Sequence, residues 1–137
     1  MAGPGKELFL GHEWEQAARR GDVKTLRRLL TTGADIDARD RHGQTALMIA
    51  AREGHAGVVR FLVEQGADLN HSAKYRLSAL MLAVIHGHID IVRTLVEAGA
   101  DPAIRGSGAP GFSGKTALDL AIAQGRSDMA EVLRKSE

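Results

Sequence analysis

The sequence predicts an all-α solenoid: four helix-turn-helix units stacked in a row, joined by short hairpin or loop fingers. Three observations predict it. Gly33, Gly66 and Gly99 each open a Gly-Ala-Asp triplet at a spacing of 33 residues, and Gly21, Gly54 and Gly87 recur at the same interval. Thr45-Ala46-Leu47 returns 33 residues later as Ser78-Ala79-Leu80, then 38 residues further on as Thr116-Ala117-Leu118. Inside one unit, Val58, Val59, Leu62 and Val63 fall at i, i+1, i+4 and i+5, an apolar stripe at helical period. A single helix pair cannot bury such a stripe; stacked copies can, which makes the fold quasi-one-dimensional.

Taken in chain order, residues 1–12 read as an N-terminal tail. Its Leu8-Phe9-Leu10 patch either lies over the first helix pair or frays. Residues 13–137 form one domain, with units at 13–36, 37–69, 70–102 and 103–137. The first unit is a helix pair without its finger. Trp14 is in the register of Leu47, and Leu29 and Leu30 in that of Leu62 and Val63, so Trp14 is expected in the core of the end unit. In the second unit Thr45 is the expected N-cap of the helix ALMIAAREG. Ala50 and Ala51 allow close helix approach, and Gly54 ends the helix in a left-handed conformation. HAGVVRFLVEQG is the partner helix, closed by Gly66, and ADLNHSAKYR is the loop to the next unit. The third unit repeats this pattern behind Ser78 and the fourth behind Thr116. The last finger is enlarged by a five-residue insertion, as the change of spacing from 33 to 38 requires. Arg134, in the register of Val63 and Val96, places a charge on the terminal stripe, as the outer face of a last unit needs. Asp35, Asp68 and Asp101 recur with the scaffold, so they are expected to hold the turns by hydrogen bonds rather than to act as acids.

Composition narrows the function classes. With 44% hydrophobic and 26% charged residues the chain has a globular balance, and with one Trp, one Tyr and three Phe its core must be aliphatic. The absence of Cys excludes disulfides, cysteine nucleophiles and cysteine zinc sites. A net charge of +1 names no partner. No apolar run approaches a membrane span, and the Leu8–Leu10 patch is too short for a signal-peptide core. A cytoplasmic location is expected, with the nucleus as the alternative. His86 and His88, two apart on a helix, diverge, so no metal site is expected. No nucleophile elbow or Ser/His/Asp set is visible, and neither catalysis nor a cofactor is expected.

The period of 33, the segment TALMIAAREGHAGVVRFLVEQGADLN and its copy SALMLAVIHGHIDIVRTLVEAGADP resemble ankyrin repeats across roughly residues 13 to 134. The family's usual Thr-Pro-Leu-His reads Thr-Ala-Leu-Met, Ser-Ala-Leu-Met and Thr-Ala-Leu-Asp here, a departure expected to loosen the helix starts slightly. The resemblance implies that His55 and His88, at the family's Gly-His position, make packing and backbone contacts. It also implies that the finger tips and first helices form a concave surface on which protein partners dock.

One stretch competes with this reading. APGFSGKT, residues 109–116, carries the end of a phosphate-binding loop, lacking only a first glycine at Ala109. A phosphate loop needs a strand delivering a glycine-rich turn onto a helix N-terminus, with free backbone N–H groups. Here Thr116 already has a place in the repeat as an N-cap, Gly114 is in the register of Gly43, and no strand-like run precedes them. A nucleotide-binding enzyme using Lys115 and Thr116, or a purely structural spacer, stands as the alternative to a binding module.

Mapped by register, the docking surface takes Arg19 and Arg20 from unit one. Unit two gives Arg39, Arg41, His42, Gln44, Arg52 and Glu53; unit three gives Lys74, Tyr75, Leu77, Ile85 and His86; unit four gives Phe112, Lys115 and Gln124. Seven of these are Arg or Lys and one is acidic, whereas Asp22, Glu64, Asp90, Glu97, Asp128 and Glu131 fall with the second helices. This predicts a basic inner face, an acidic outer face and an acidic protein or peptide partner for a monomer, with no small-molecule substrate, no membrane and no nucleic acid. Tyr75, Leu77 and Ile85 interrupt a register that is polar in unit two, and an aromatic among arginines is hot-spot composition. Phe112 is expected to fold back onto the adjacent helix, with display as a contact residue the alternative.

Overall fold

The structure, a computed structural model, describes residues 4–136, with side chains described from residue 11 onward. Its eight helices are α1 (Pro4–Arg20), α2 (Val23–Thr31), α3 (Ala46–Glu53), α4 (Ala56–Glu64), α5 (Ala79–Ile85), α6 (Ile89–Glu97), α7 (Ala117–Ala123) and α8 (Ser127–Ser136). The first helices α1, α3, α5 and α7 pack side by side in one row, and α2, α4, α6 and α8 form a second row against it. No helix among the described residues is long and apolar enough to cross a membrane.

The helix starts and stops are those the residues dictate. Thr45, Ser78 and Thr116 accept the backbone N–H of Met48, Met81 and Asp119 at 3.3, 3.3 and 3.2 Å. At α7 the departure from the family motif tightens the start rather than loosening it. Asp119 Oδ2 accepts the Thr116 N–H at 3.0 Å, completing a capping box. That backbone hydrogen bond is the main reason the Asp119 carboxyl lies below its ordinary pKa. Gly54 ends α3 at φ 88°, and it serves the next unit as well. A Cβ there would stand 2.7 Å from His88 Cε1. Through that gap the imidazole reaches back, its Nε2 donating to the Arg52 carbonyl at 3.0 Å. His55 does the same to the Arg19 carbonyl at 2.7 Å. The expected histidine contacts are therefore seams between units: each ring takes up a carbonyl left over at the end of the preceding first helix.

The core is one aliphatic column. Leu26, Leu29, Leu47, Met48, Ile49, Leu62, Leu80, Met81, Ile91, Leu95 and Leu133 are fully buried, and Val58 and Val59 complete the stripe. Trp14 is buried in the end unit as expected, at 3% exposure, and Arg134 is exposed. The Arg27 guanidinium covers the buried ring of Phe61 at 4.9 Å.

Asp35, Asp68 and Asp101 accept the N–H two residues ahead at 2.8–2.9 Å. A second ladder, not foreseen from the sequence, ties the turns together. Asp68 N–H donates to Asp37 Oδ1 at 2.9 Å, and Asp101 N–H to Asn70 Oδ1 at 2.8 Å.

The N-terminus differs from expectation. The segment read as a tail is helical from Pro4, a continuation of α1, because nothing in it breaks a helix after Pro4, and proline is tolerated in a first turn. Whether Leu8-Phe9-Leu10 covers the first pair lies outside the described side chains. The fingers are loops rather than ladders: among the described residues there are isolated bridges, Ser72 to Ser78 and Gly106 to Ser113, and no strands.

Candidate partner-binding site

Three fingers project beside the first-helix row, and the third and fourth are joined. In the third, Ala73 N–H donates to the Leu77 carbonyl at 3.2 Å and Arg76 N–H to the Ala73 carbonyl at 2.9 Å, closing a single tight turn over Lys74–Arg76. The turn places Tyr75 at φ 62° and Arg76 at φ 56°, two consecutive non-glycine residues in the left-handed region. In the enlarged fourth finger, Gly106 N–H donates to the Lys115 carbonyl at 2.9 Å and Gly114 N–H to the Gly106 carbonyl at 3.0 Å. Arg105 Nη1 braces the finger by donating to the Gly114 carbonyl at 2.7 Å. The finger then leans back on its neighbour. Ser107 N–H donates to the Tyr75 carbonyl at 2.8 Å, and the Phe112 and Tyr75 rings meet with centroids 5.5 Å apart, tilted by 39°. Lys74 Nζ lies 5.0 Å from the Tyr75 ring on the same finger.

Phe112 thus does neither of the two things expected of it alone. It is half-buried, packed against the edge of the core and against another finger's aromatic ring rather than folded onto a helix. Tyr75 is exposed at 36%. Leu77 needs correction: at 8% exposure it belongs to the core, because the tight turn directs it inward just before the buried cap Ser78. Ile85 is half-buried against the core and is a partial contact at most. Arg41, His42, Lys115 and His86 are exposed, and Gln44 and Arg52 are half-buried. Arg39 donates to His71 Nδ1 at 2.6 Å, and Arg52 Nε sits 3.4 Å from Glu53 Oε1. The His86 imidazole has its pKa lowered below the ordinary value. The main cause is partial loss of water around the ring, followed by the positive charge of His88 and Arg52.

The residue that sequence reasoning missed is Arg76. Its signal was present: an arginine in the register where unit two has Gly43. Among the described residues, Arg41, Lys74, Arg76 and Lys115 have no carboxylate within ion-pair distance, so the finger side presents four free cations.

Two expectations change. The second-helix row is not acidic. Besides its five Asp and Glu, α2, α4, α6 and α8 carry seven Lys and Arg, so the expected inside–outside polarity is absent and the positive charge of the finger side is local. The phosphate-loop resemblance of residues 109–116 also finds no geometric support. The N–H groups of Phe112 and Ser113 donate to the Ala109 carbonyl, that of Gly114 to Gly106, and that of Lys115 to Phe112. The donors a phosphate would need are already used inside the finger, and the Thr116 hydroxyl is buried in its capping role.

A family profile described as ankyrin repeats (3 copies) matches residues 14–106, and a second, described as ankyrin repeats (many copies), matches residues 80–134. No curated protein matches the chain.

Proposed function

The chain belongs to the ankyrin-repeat family, and from that premise we propose that it is a non-catalytic adaptor or regulator that binds an acidic segment of a partner protein across its finger tips. Repeats of this family are generally protein–protein interaction modules and are typically non-catalytic. The reading goes further by locating the contact. It is carried by one observation: Tyr75 stands exposed on a turn of two left-handed residues, backed by Phe112 and flanked by Lys74 and Arg76. A backbone held in a costly conformation around an exposed aromatic is the mark of a functional constraint rather than of packing. Aromatic anchors among cations are what hot spots are made of. Arg41 and Lys115, free on the neighbouring fingers, extend the positive surface in the direction an acidic strand would run.

Partner capture from lysate of the native host tests this. The captured protein should be released by salt, because the contact is screened. Tyr75→Ala should weaken the purified complex by about 1–3 kcal/mol, measured by calorimetry. A partner that is basic, or that binds Tyr75→Ala unchanged, would refute the reading.

A further inference from the structure

We propose that the cleft between α1 and the second finger is a subsite for a side-chain carboxamide, the Asn or Gln of a docked partner segment. The cleft exists because α1 runs on as helix through residues 5–11, where register would place a finger beside residues 38–44. The second finger therefore has a helix for a neighbour on one side, and a space of about 790 Å³ opens between them, lined by Gly11, His12, Trp14, Glu15, Asp40 and Gln44 among others. A space of this size accepts a side chain with its flanking backbone.

The lining is chemically unfinished. Among the described residues, three buried side-chain polar atoms have no hydrogen-bond partner: Trp14 Nε1, Asp40 Oδ2 and Gln44 Oε1. All three belong to residues of this one cleft. The great majority of buried polar atoms in folded proteins are paired, so three orphans in one place call for a shared partner. Trp14 is 3% exposed and the Asp40 side chain 5%. Arg19 Nη2 stands 3.9 Å from Asp40 Oδ2, near enough to balance its charge and too far to use its lone pair as a hydrogen bond does.

One donor and two acceptors select a class of ligand. An ammonium or guanidinium has no acceptor for the indole N–H. A carboxylate or phosphate has no donor for Asp40 and meets its negative charge. A hydroxyl has a single donor for two acceptors. A primary carboxamide has two N–H donors and a carbonyl, and satisfies all three. If the Gln44 amide is turned over, the count becomes two donors and one acceptor, which the carbonyl lone pairs and an N–H of the same group still match.

The proposal deepens the docking reading above, since Arg39, Arg41 and Gln44 are common to the cleft and to that surface. Its test is independent. Trp14 is the only tryptophan, so one indole N–H resonance reports on the cleft. The full chain is titrated with N-acetylglutamine methylamide, with the isosteric N-acetylmethionine methylamide and with N-acetylglutamate methylamide. The glutamine probe should shift the indole resonance saturably, and the other two should not. Asp40→Asn keeps Oδ1, which accepts the His42 and Gln44 N–H groups, and replaces Oδ2 by a donor. It should weaken the glutamine response about tenfold, with an unchanged thermal melt showing that the fold is intact. If Asp40→Asn melts early, Trp14→Phe, read from the shifts of the Gln44 side-chain amide, takes its place with the same expectation. No saturable shift up to the solubility of the probe, an equal shift with methionine, or an undiminished response in the variants overturns the subsite and leaves a cleft holding water. Tyr75→Ala should leave the titration untouched. A silent indole therefore sinks only the subsite, and Tyr75-independent partner capture sinks only the docking surface.

Discussion

The second and third fingers occupy the same register, and they solve the same turn in opposite ways. In the second, Asp40 Oδ1 accepts two backbone donors, His42 N–H at 2.8 Å and Gln44 N–H at 2.9 Å, and Gly43 takes the positive φ, 77°, without a Cβ to object. In the third, the aspartate position is Ala73 and the glycine position is Arg76. The side-chain acceptor is gone, the positive φ falls on a residue that resists it, and Tyr75 beside it is left-handed too. The fourth finger returns to glycine, with Gly114 at φ 73°. Only one finger in the row is strained, and it is the one that displays the exposed tyrosine and receives the neighbouring finger's Phe112 and Ser107. The repeat shows what a relaxed finger looks like, and the departure from it marks where something other than folding sets the residues.

The largest expected effect comes from removing what keeps the second finger relaxed. Asp40→Ala takes away the acceptor of two backbone N–H groups, one of them half-buried, and should cost about 2 kcal/mol in denaturant melts. The matching change in the third finger, Ala73→Ser, touches no existing side-chain bond and should shift stability far less. Equal losses at the two positions would mean that the fingers do not differ in the way their hydrogen bonds say.

Next in size is the exchange of the glycine-register residues. Arg76→Gly relieves a left-handed arginine, worth roughly 1–2 kcal/mol, and gives part of that back as chain entropy, for a net gain of about 1 kcal/mol or a little less. Gly43→Ala should lose about 1 kcal/mol, since its φ of 77° is one that alanine resists. The two melting temperatures should move in opposite directions, each by roughly 3 °C. Arg76→Gly should also weaken the partner complex, because it removes a free cation and loosens the turn beneath Tyr75. A variant that gains stability and affinity together would break the link between strain and binding.

The architecture was legible in the sequence because it is periodic. Thr45, Ser78 and Thr116 had to be caps wherever the units stack, and Gly54 had to end its helix. Asp35, Asp68 and Asp101 held their turns as their recurrence implied. What was not legible is what a register cannot express. Leu77 looked displayed because unit two has a polar residue there, yet its direction is set by the left-handed turn before it, and no count of spacings reveals that turn. The continuation of α1 to Pro4 was invisible because unit one has no finger to compare with, and with it went the cleft at Trp14 and Asp40. The acidic outer row failed for a plainer reason: the acidic residues were mapped onto the second helices without the arginines and lysines that share them.

The smallest effect separates the helix ends beside the two fingers. Register places Glu53 at the end of α3 and His86 at the end of α5. The His86 pKa is lowered by partial loss of water and by the positive charge of His88, Arg52 and Arg126, with Glu53 pulling the other way. Because the folded value lies below the unfolded one, the unfolded chain binds the proton first as pH falls from 7 through about 6.5, the ordinary histidine value. In that window the unfolded state carries more protons, so stability falls with pH and levels off once the folded imidazole is itself protonated. His86→Gln removes the group and should flatten this part of the pH profile, leaving stability at pH 8 unchanged within the error of a melt. The effect is small because one side of the ring is open to water. A wild-type slope that His86→Gln does not alter would show that the ring keeps its ordinary affinity for protons and that the two helix ends, unlike the two fingers, are equivalent.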